Sequence, residues 1–357
     1  MVTASPLRVL VVDDSAFNRR NISDILTGAN EDIEIVGKAG DGDEALRLAL
    51  QLKPDAITLD LEMPRMDGFT FLRILMAKQP TPVIVISSYA NKENVFKALE
   101  LGALDFVAKP DRQFSPDNAI RREILSKVLL VKTLRPFAPL GSAARAAAPI
   151  SSRQAEAPAV ARPGGVPRYV VGIASSTGGP TALLELFNRI PERFPGAILI
   201  AQHMPDKFTK TFAERLDKKG AIRVVEAQDG DLVTARRAYV CPGKLCMEIV
   251  GSFGGPSDLR LRVTQPSTGD RYVPSADRLL RSVGQVAGSR AVGVILTGMG
   301  DDGVAGAKQI RLGGGTVIAE TEETAIVYGM PGAAVRAGVV SEALPLPAIG
   351  DYLAGLT

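Results

Sequence analysis

The sequence has few of the residues that mark metal-binding or disulfide-stabilised proteins: a single histidine, His203, and two cysteines, Cys241 and Cys246. Two cysteines are too few for a disulfide framework. Their spacing, without histidine partners, is not that of a zinc site. We therefore expect both thiols to pack in the core as small apolar side chains.

A strong net charge and long hydrophobic runs are also missing. The net charge is +3 and the basic residues are scattered, which argues against binding to nucleic acid or to an anionic membrane surface. Apolar stretches such as LRVLVV are far too short to span a membrane, and Asp13 and Asp14 follow where a secretory signal would carry small residues. We expect a cytoplasmic protein that binds no nucleic acid and does not insert into the membrane.

The regular pattern of apolar residues stops between residues 135 and 167. This segment is mostly Ala, Pro, Gly and Ser, which is the composition of a linker. A partly extended coil of this length separates its ends by roughly 30 Å. The sequence therefore predicts one domain over residues 1–134, a linker over residues 135–167 and a second domain over residues 168–357.

On both sides of this linker, short β-branched runs alternate with amphipathic stretches. The alternation predicts an α/β fold with two doubly wound domains, each built on a mainly parallel sheet. Residues 238 to 264 alternate like an antiparallel hairpin, which predicts a mixed sheet in the second domain. The strand-like runs are RVLVV, EIVG, AITL, PVIVIS and LDFVA in the first half, and YVVGIA, GAILIAQ, AVGVILTG and GTVIAE in the second.

Three carboxylates of the first half follow predicted strands: Asp13 and Asp14 follow the first, and Asp60 follows the third. The carboxyl ends of strands at a switch point share one crevice, where three carboxylates repel one another unless a hard cation such as Mg²⁺ is present. Ser87 and Lys109, at the ends of the fourth and fifth strands, reach the same crevice. Each acid alone is better interpreted as a helix cap, but the conjunction predicts a phosphoryl-acceptor site.

The motifs VVDDS, LDLEMPRMDG, ISS and DFVAKP, in this order, resemble the receiver domain of two-component response regulators over about residues 5–133. The resemblance implies a flavodoxin-like fold with Asp60 as the phosphoacceptor. Phe106 then occupies the place of an aromatic switch residue. The implied ligands of Mg²⁺ are Asp13, Asp14, Asp60 and the backbone carbonyl of Glu62, and the implied phosphoryl contacts are Ser87 and Lys109.

In the second half, residues 170–180 read VVGIASSTGGP, an apolar run that breaks into a glycine-rich turn before a helix-like segment. Such a turn aims backbone N–H groups and a helix N-terminus at one point, which suits either a phosphate or a nucleophile. Neither GxxxxGK nor GxGxxG is present here, so the nucleotide-binding interpretation is the weaker one. A nucleotide-binding module that uses this turn as an anion nest remains an alternative.

Ser176, His203 and Asp302 each follow a predicted strand of the second half, so a parallel sheet would bring them to one rim. Imidazole can take the proton of a serine, and a buried carboxylate can orient the imidazole and stabilise its cation. A lone histidine is more often structural, but this position favours a catalytic one. The order Ser, His, Asp differs from that of the common hydrolase folds, which is acceptable because a triad is defined by geometry.

The motifs SSTGGP, QHMP, YVPSAD, LTGMGDDG and YGMPGAAV, behind a receiver domain and a linker, resemble the protein-glutamate methylesterases of bacterial chemotaxis, the CheB family. The resemblance covers nearly the whole chain and implies a Rossmann-like catalytic domain. It implies hydrolysis of glutamate γ-methyl esters on chemoreceptor helices with release of methanol, and often deamidation of receptor glutamines. The implied roles are nucleophile for Ser176, base for His203, orienter for Asp302, oxyanion donor for the Met299 N–H, and support for Thr177.

The same resemblance implies partners and regulation. A chemotaxis histidine kinase would donate the phosphoryl group, and the cytoplasmic helices of methyl-accepting chemoreceptors would be the substrate. Mg²⁺ would serve the receiver, and the esterase step would need no cofactor. In the family the unphosphorylated receiver lies over the catalytic cleft, and phosphorylation of Asp60 would relax that contact; a receiver that only localises the enzyme is the alternative. A DNA-binding output is disfavoured because no short helix-turn-helix pattern follows the linker.

Several positions depart from the family pattern or leave a choice. Ser175 stands beside Ser176, and counting back from the threonine of the motif selects Ser176. Asp301 stands beside Asp302, and the register of the motif selects Asp302. The remaining departures are Val273 in place of a common arginine and Cys246 in place of a second histidine.

Overall fold

The computed structural model of the chain describes residues 5–28, 32–88, 92–109, 118–134, 165–252 and 258–356. The chain forms two units, residues 1–145 and residues 146–357. Most of the predicted linker lies outside the described residues, so the three-part division of the chain stays a prediction. No helix in the described part of the chain has both the length and the apolar character needed to cross a membrane.

The described part of the first unit has five strands, and all five correspond to the predicted β-branched runs. They are β1 (Leu7–Val12), β2 (Ile33–Ala39), β3 (Ala56–Leu59), β4 (Val83–Ser88) and β5 (Asp105–Lys109). All pairings are parallel, and the order is β2-β1-β3-β4-β5. This order is that of the flavodoxin-like folds, so the predicted doubly wound architecture of the first half is confirmed. Its carboxyl edge carries the acidic residues singled out in the sequence.

Four described helices connect these strands, α1 (Ala16–Thr27), α2 (Gly42–Leu52), α3 (Gly68–Lys78) and α4 (Lys92–Glu100), and α5 (Asn118–Leu130) follows β5. The first three begin at a side-chain cap. The oxygens of Ser15, Asp41 and Asp67 each accept the N–H three residues further on. Such caps satisfy backbone donors that the first turn leaves unpaired, and they fix where each strand-to-helix loop ends.

The second unit has nine described strands. They are β6 (Val170–Ser175), β7 (Ala197–Gln202), β8 (Arg223–Glu226), β9 (Arg237–Val240), β10 (Cys246–Val250), β11 (Arg260–Thr264), β12 (Ala291–Ile295), β13 (Thr316–Glu320) and β14 (Glu342–Leu344). Seven form one parallel sheet in the order β14-β13-β12-β6-β7-β9-β8. Without the edge strand β8, this is the strand order of a Rossmann fold, and the switch point lies between β6 and β12.

The predicted mixed sheet is wrong in one respect. β10 and β11 do form an antiparallel pair, but they make a separate two-stranded sheet, while β9 joins the parallel sheet. The physical reason is that Pro242 and Gly243 interrupt the chain after β9, and the pair then packs on a helix, where the Ile249 N–H donates to the Ser282 hydroxyl at 3.0 Å.

Among the described residues of the second unit, six α-helices cover its parallel sheet: α6 (Gly179–Phe187), α7 (Asp206–Lys219), α8 (Ala276–Ala287), α9 (Val304–Leu312), α10 (Met330–Arg336) and α11 (Leu346–Ala354). Every residue of β6, β7 and β12 is buried, as expected for central strands that are covered on both faces. The loops that follow these three strands leave the sheet at one edge, beside the switch point.

Candidate active site and acidic pocket

The three residues predicted for catalysis lie in loops that leave adjacent strands. Ser176 follows β6, His203 follows β7, and Asp302 lies between β12 and α9. Backbone hydrogen bonds join the loops: the Ser176 N–H donates to the Thr297 carbonyl, and the His203 N–H donates to the Ser175 carbonyl, both at 3.0 Å. The structure therefore brings Ser176, His203 and Asp302 to the carboxyl edge of the sheet at the switch point.

The two adjacent serines lie in different surroundings. Ser175 is fully buried as the last residue of β6, and its hydroxyl donates to the Gln202 amide oxygen at 2.7 Å. Ser176 is partly exposed, and no hydrogen bond engages its hydroxyl within the described ranges. A nucleophile must be reachable by substrate, so this difference in exposure favours Ser176. Ser176 is also the residue that counting back from the threonine of the motif selects.

His203 and Asp302 form a direct contact, with Nε2 of the imidazole 2.8 Å from Oδ2 of the carboxylate. Because a carboxylate can only accept, Nε2 carries the proton in this contact and Nδ1 is left as the proton acceptor. Asp302 is 2% exposed, and its two oxygens also accept the N–H groups of Ala276 and Asp277 at the start of α8. The N-terminus of α8 thus stabilises the charge that orients His203.

Gln202, which the sequence analysis did not single out, links the nucleophile loop to the base loop. Its side chain is 1% exposed, and its amide nitrogen donates to the carbonyls of Ser176 and His203, each at 2.9 Å. Since its amide oxygen accepts from Ser175, three of its hydrogen bonds fix the ends of β6 and β7 relative to each other. The sequence could have pointed to Gln202, because this residue belongs to the motif QHMP.

The loop after β12 carries the predicted oxyanion donor. Met299 is half exposed, and its backbone N–H has no acceptor within the part of the chain that the structure describes. Thr297, two residues before Met299, links this loop to the turn that follows Ser176. Its hydroxyl donates to the Thr177 carbonyl at 2.9 Å and accepts the Val327 N–H at 2.9 Å. Thr177 is buried at this contact, and its predicted supporting role stays a prediction.

Glu320 lies beneath this loop as the last residue of β13, fully buried. Its Oε2 accepts the Thr297 N–H at 2.8 Å. Burial raises the pKa of this carboxyl to about 7, although the Thr297 N–H and the Thr324 hydroxyl act in the opposite direction. A group that changes charge near neutral pH therefore supports the loop that carries Met299 and Asp302.

The residues that depart from the family pattern take ordinary places. The Asp301 carboxylate accepts from the Tyr272 hydroxyl and from Arg271, each at 3.2 Å. Val273, next to Tyr272, is 37% exposed at the rim of the site. Cys241 and Cys246 are buried free thiols, and burial raises the pKa of both, so their expected packing in the core is confirmed.

In the first unit, the acidic residues also converge. Carboxylate oxygens of Asp13, Asp14 and Asp60 lie within 4.8 Å of one another. Lys109 lies between two of them, with its ammonium 2.8 Å from Asp60 and in contact with Asp13. Burial raises the pKa of Asp60 to about 6, against the opposing effect of Lys109 and with a further increase from Asp13. Carboxylate oxygens in this arrangement are the ligands that Mg²⁺ prefers, so the donor set fits the implied ion.

The other predicted receiver residues lie in β4, in β5 and in the loop after β3. Ser87 is buried near the end of β4 and forms no hydrogen bond to Asp60 or Lys109 in the described ranges. Glu62 is exposed in the loop after β3, and its N–H lies 3.5 Å from Asp60 Oδ1. Phe106 is buried in β5 and meets Phe96 edge to face, with the ring centroids 6.5 Å apart.

Comparison with known proteins gives matches in both units. Residues 171–353 match the family described as CheB methylesterase, and residues 9–118 match the response regulator receiver domain. "Protein-glutamate methylesterase/protein-glutamine glutaminase 1" of Myxococcus xanthus is 46% identical over 357 residues, which cover 100% of this chain and 99% of that protein. "Protein-glutamate methylesterase/protein-glutamine glutaminase 6" of Anaeromyxobacter dehalogenans is 48% identical over 347 residues, which cover 96% and 93%. The crystal structure of the Thermotoga maritima CheB methylesterase catalytic domain matches with 35% identity and a TM-score of 0.51, over 53% of this chain and 98% of that chain.

Proposed function

This chain belongs to the CheB methylesterase family and carries a response regulator receiver domain, and from that premise we propose that it is a phosphorylation-controlled esterase acting on glutamate γ-methyl esters of chemoreceptors. The names of its relatives support this substrate and a second activity, deamidation of receptor glutamines. The observation that carries the proposal is the His203–Asp302 pair, at 2.8 Å, in the loops beside Ser176 at the switch point of the sheet. We place the reaction in the cytoplasm, where receptor helices and kinase are both accessible.

In the first half of the reaction, the Ser176 hydroxyl attacks the ester carbonyl carbon and His203 Nδ1 takes the hydroxyl proton. Asp302, held by the N-terminus of α8, stabilises the imidazolium that forms. The Met299 N–H donates to the carbonyl oxygen as it gains negative charge. The tetrahedral adduct then expels the methoxy oxygen, which takes the proton from His203 and leaves as methanol. An acyl-enzyme on Ser176 remains.

The second half runs the same proton transfers with water. His203 takes a proton from the water as its oxygen attacks the acyl carbon, and the proton returns to the Ser176 oxygen as the bond to it breaks. The products are the glutamate carboxyl group and the free serine. A glutamine side chain enters the same sequence, with ammonia leaving in place of methanol, so one site accounts for both names that the relatives carry.

In the receiver unit, we assign the phosphoacceptor role to Asp60 and the phosphodonor role to a chemotaxis histidine kinase. Mg²⁺, when bound, would neutralise charge on the transferring phosphoryl group; Asp13, Asp14, Asp60 and the Glu62 carbonyl would hold it. Lys109 already contacts Asp60 and Asp13, which places a cation where phosphoryl oxygens would gather. Ser87, near the end of β4, is the second residue that we assign to contact the phosphoryl group.

The test is methanol release from methylated chemoreceptor, measured with and without a small-molecule phosphodonor and Mg²⁺. Wild type should be active and should respond to the phosphodonor. Ser176→Ala and His203→Ala should each lower the rate by about 10³-fold or more. The matched control is Ser289→Ala, an exposed serine before β12 at the opposite edge of the sheet, which should keep the wild-type rate. Full activity in Ser176→Ala would show that the assigned nucleophile is wrong.

A further inference from the structure

Tyr272 lies flat against the imidazole of His203. The ring centroids are 5.3 Å apart and the ring planes differ by 9°. Tyr272 belongs to the segment between β11 and α8, which comes from a different part of the chain than the loop that carries His203. Because Asp302 contacts the edge of the imidazole through Nε2, the tyrosine occupies a face that the Asp302 contact leaves open. The base is therefore held at its edge by one residue and on its face by another.

The position of Tyr272 is itself fixed by the neighbouring acid. Its hydroxyl donates to Asp301 Oδ1 at 3.2 Å, and the other oxygen of Asp301 accepts from Arg271 at 3.2 Å. The Arg271 guanidinium also lies 5.5 Å from the centroid of the Tyr272 ring. Burial and the Asp301 carboxylate raise the pKa of Tyr272 above its ordinary value, so the hydroxyl remains a donor.

The loop between β12 and α9 is shaped to accept this hydroxyl. Gly300 has φ +94, and a Cβ added there would lie 2.5 Å from the Tyr272 hydroxyl oxygen. The adjacent acids of the LTGMGDDG motif therefore have separate tasks, since Asp302 holds the imidazole and Asp301 holds the ring that covers it.

We propose that Tyr272 is a positioning residue of the reaction, which fixes the plane of the His203 imidazole and stabilises its protonated form. The face of an aromatic ring carries negative charge density and attracts a cation, whereas it has much less effect on neutral imidazole. His203 becomes cationic when it takes the serine proton, so the stack favours the transition state over the resting state. This inference rests on the proposed role of His203 as the base.

Other charged groups lie near His203, and two of them, Asp301 and Arg271, also contact Tyr272. Asp302 contacts its edge, and Asp277 lies at the start of α8 beside Asp302. At the start of α7, Asp206 is paired with Lys244 at 3.1 Å. Asp301 and Arg271 lie behind Tyr272 and are paired with each other. A variant that keeps the ring and loses only the hydroxyl is therefore needed to separate the effect of the stacked ring from that of the Asp301 contact.

The experiment uses the fact that the chain has a single histidine. In full-length protein without a histidine tag, NMR titration of the one imidazole gives the pKa of His203 directly. Tyr272→Leu should lower that pKa by about half a unit to one unit, because the aromatic face is lost. Tyr272→Phe keeps the ring and should keep the pKa close to the wild-type value. The conservative variant thus separates the ring from its hydroxyl.

Methanol release provides the second readout. In Tyr272→Leu the kcat should fall about tenfold with little change in KM, and the acidic limb of its pH profile should move in step with the NMR titration. Tyr272→Phe should restore most of the rate. An unchanged or raised pKa in Tyr272→Leu would overturn the proposal, and so would a loss of activity expressed only in KM. If wild type releases no methanol, the proposed function fails, but the NMR result still decides whether Tyr272 acts on His203.

Discussion

Glu320 is an acid whose surroundings oppose its charged form. One of its oxygens accepts the Thr297 N–H, while the other, Oε1, has no hydrogen-bond partner among the described residues. The Thr297 N–H and the Thr324 hydroxyl do not replace the water that a carboxylate loses, and burial therefore raises the pKa to about 7 from an ordinary value of 4.5. Below pH 7 the Glu320 carboxyl is mostly neutral, so the Thr297 N–H donates to an uncharged acid.

This shift predicts how stability depends on pH. The folded state binds the Glu320 proton more tightly than the unfolded state, so the free energy of unfolding falls as pH rises from about 4.5 to about 7. Above about pH 7 the full loss of unfolding free energy remains. The loss amounts to roughly 3 kcal/mol. Glu320→Gln should abolish it, so the difference in unfolding free energy between variant and wild type should grow by that amount across the window.

Urea unfolding at a series of pH values measures this difference. The matched control is Glu323→Gln, an exposed acid on the turn after β13, whose unfolding free energy should follow wild type at every pH. If the unfolding free energy of Glu320→Gln also changes with pH in parallel with that of wild type, then Glu320 does not titrate between pH 4.5 and 7, and the explanation by burial is wrong.

At the scale of elements, sequence periodicity predicted all five strands of the first sheet and the central strands of the second, but not β8 and β14 at the edges of the second sheet. β8 and β14 are short, and charged or exposed residues occupy much of each, so neither forms the apolar run that marks a buried strand. The separate β10–β11 pair was missed as a separate sheet because strand pairing is a tertiary choice, made here by packing on α8.

The candidate site shows the same division. Ser176, His203 and Asp302 could be predicted because each follows a strand and belongs to a motif. Tyr272 and Glu320 could not be predicted, since Tyr272 contacts His203 and Glu320 contacts Thr297 across separate segments of the chain, and Glu320 lies 23 positions after Thr297. No local pattern encodes which side chain covers an imidazole or lies under a loop.

The packing of α8 against α9 yields a prediction at this scale. A Cβ added at Gly284 of α8 would lie 2.8 Å from the Ile310 nitrogen and 2.9 Å from the Gln309 carbonyl carbon, so the two helix backbones touch there. Gly284→Ala must move α9 away and should reduce stability by about 1–3 kcal/mol. Because α8 holds Asp302, which lies just before α9, methanol release should fall as well.

Thermal unfolding and esterase rates of the purified variant measure both effects. Gly165→Ala is the matched control, because a Cβ there meets nothing within 4 Å. It should leave both quantities at the wild-type level. A Gly284→Ala protein with unchanged stability would mean that the two helices tolerate the methyl group, and the link from their packing to Asp302 would then be unsupported.

At the scale of the whole molecule, the chain joins two units with different chemistry. The first holds three converging carboxylates and a lysine, and the second holds the His203–Asp302 pair. Each unit has its own parallel sheet, and the described hydrogen bonds of each site come from its own unit. On our proposal that Asp60 is the phosphoacceptor, its phosphorylation changes catalysis only through a difference in how the receiver affects the second unit, which makes receiver control a separable property.

Deletion of residues 1–133 tests that property. If the unphosphorylated receiver restrains the esterase, as we propose from the family, the remaining protein should release methanol faster than the unphosphorylated full chain. Coupling between sites is typically 1–3 kcal/mol, which corresponds to roughly 5- to 150-fold in rate. The fragment should be indifferent to phosphodonor and Mg²⁺. Full-length Asp60→Asn is the matched variant, because it keeps the receiver and should stay slow whether or not phosphodonor is present.

The comparison of these two proteins separates restraint from localisation. A receiver that restrains the esterase makes the fragment fast and Asp60→Asn slow, since one lacks the restraint and the other cannot release it. A receiver that only localises the enzyme near its kinase gives equal rates in both when the receptor is supplied as a purified substrate. A fragment slower than the full chain would contradict both models and would show that the receiver contributes directly to activity, so the methanol release rates of these two proteins decide what the first unit does.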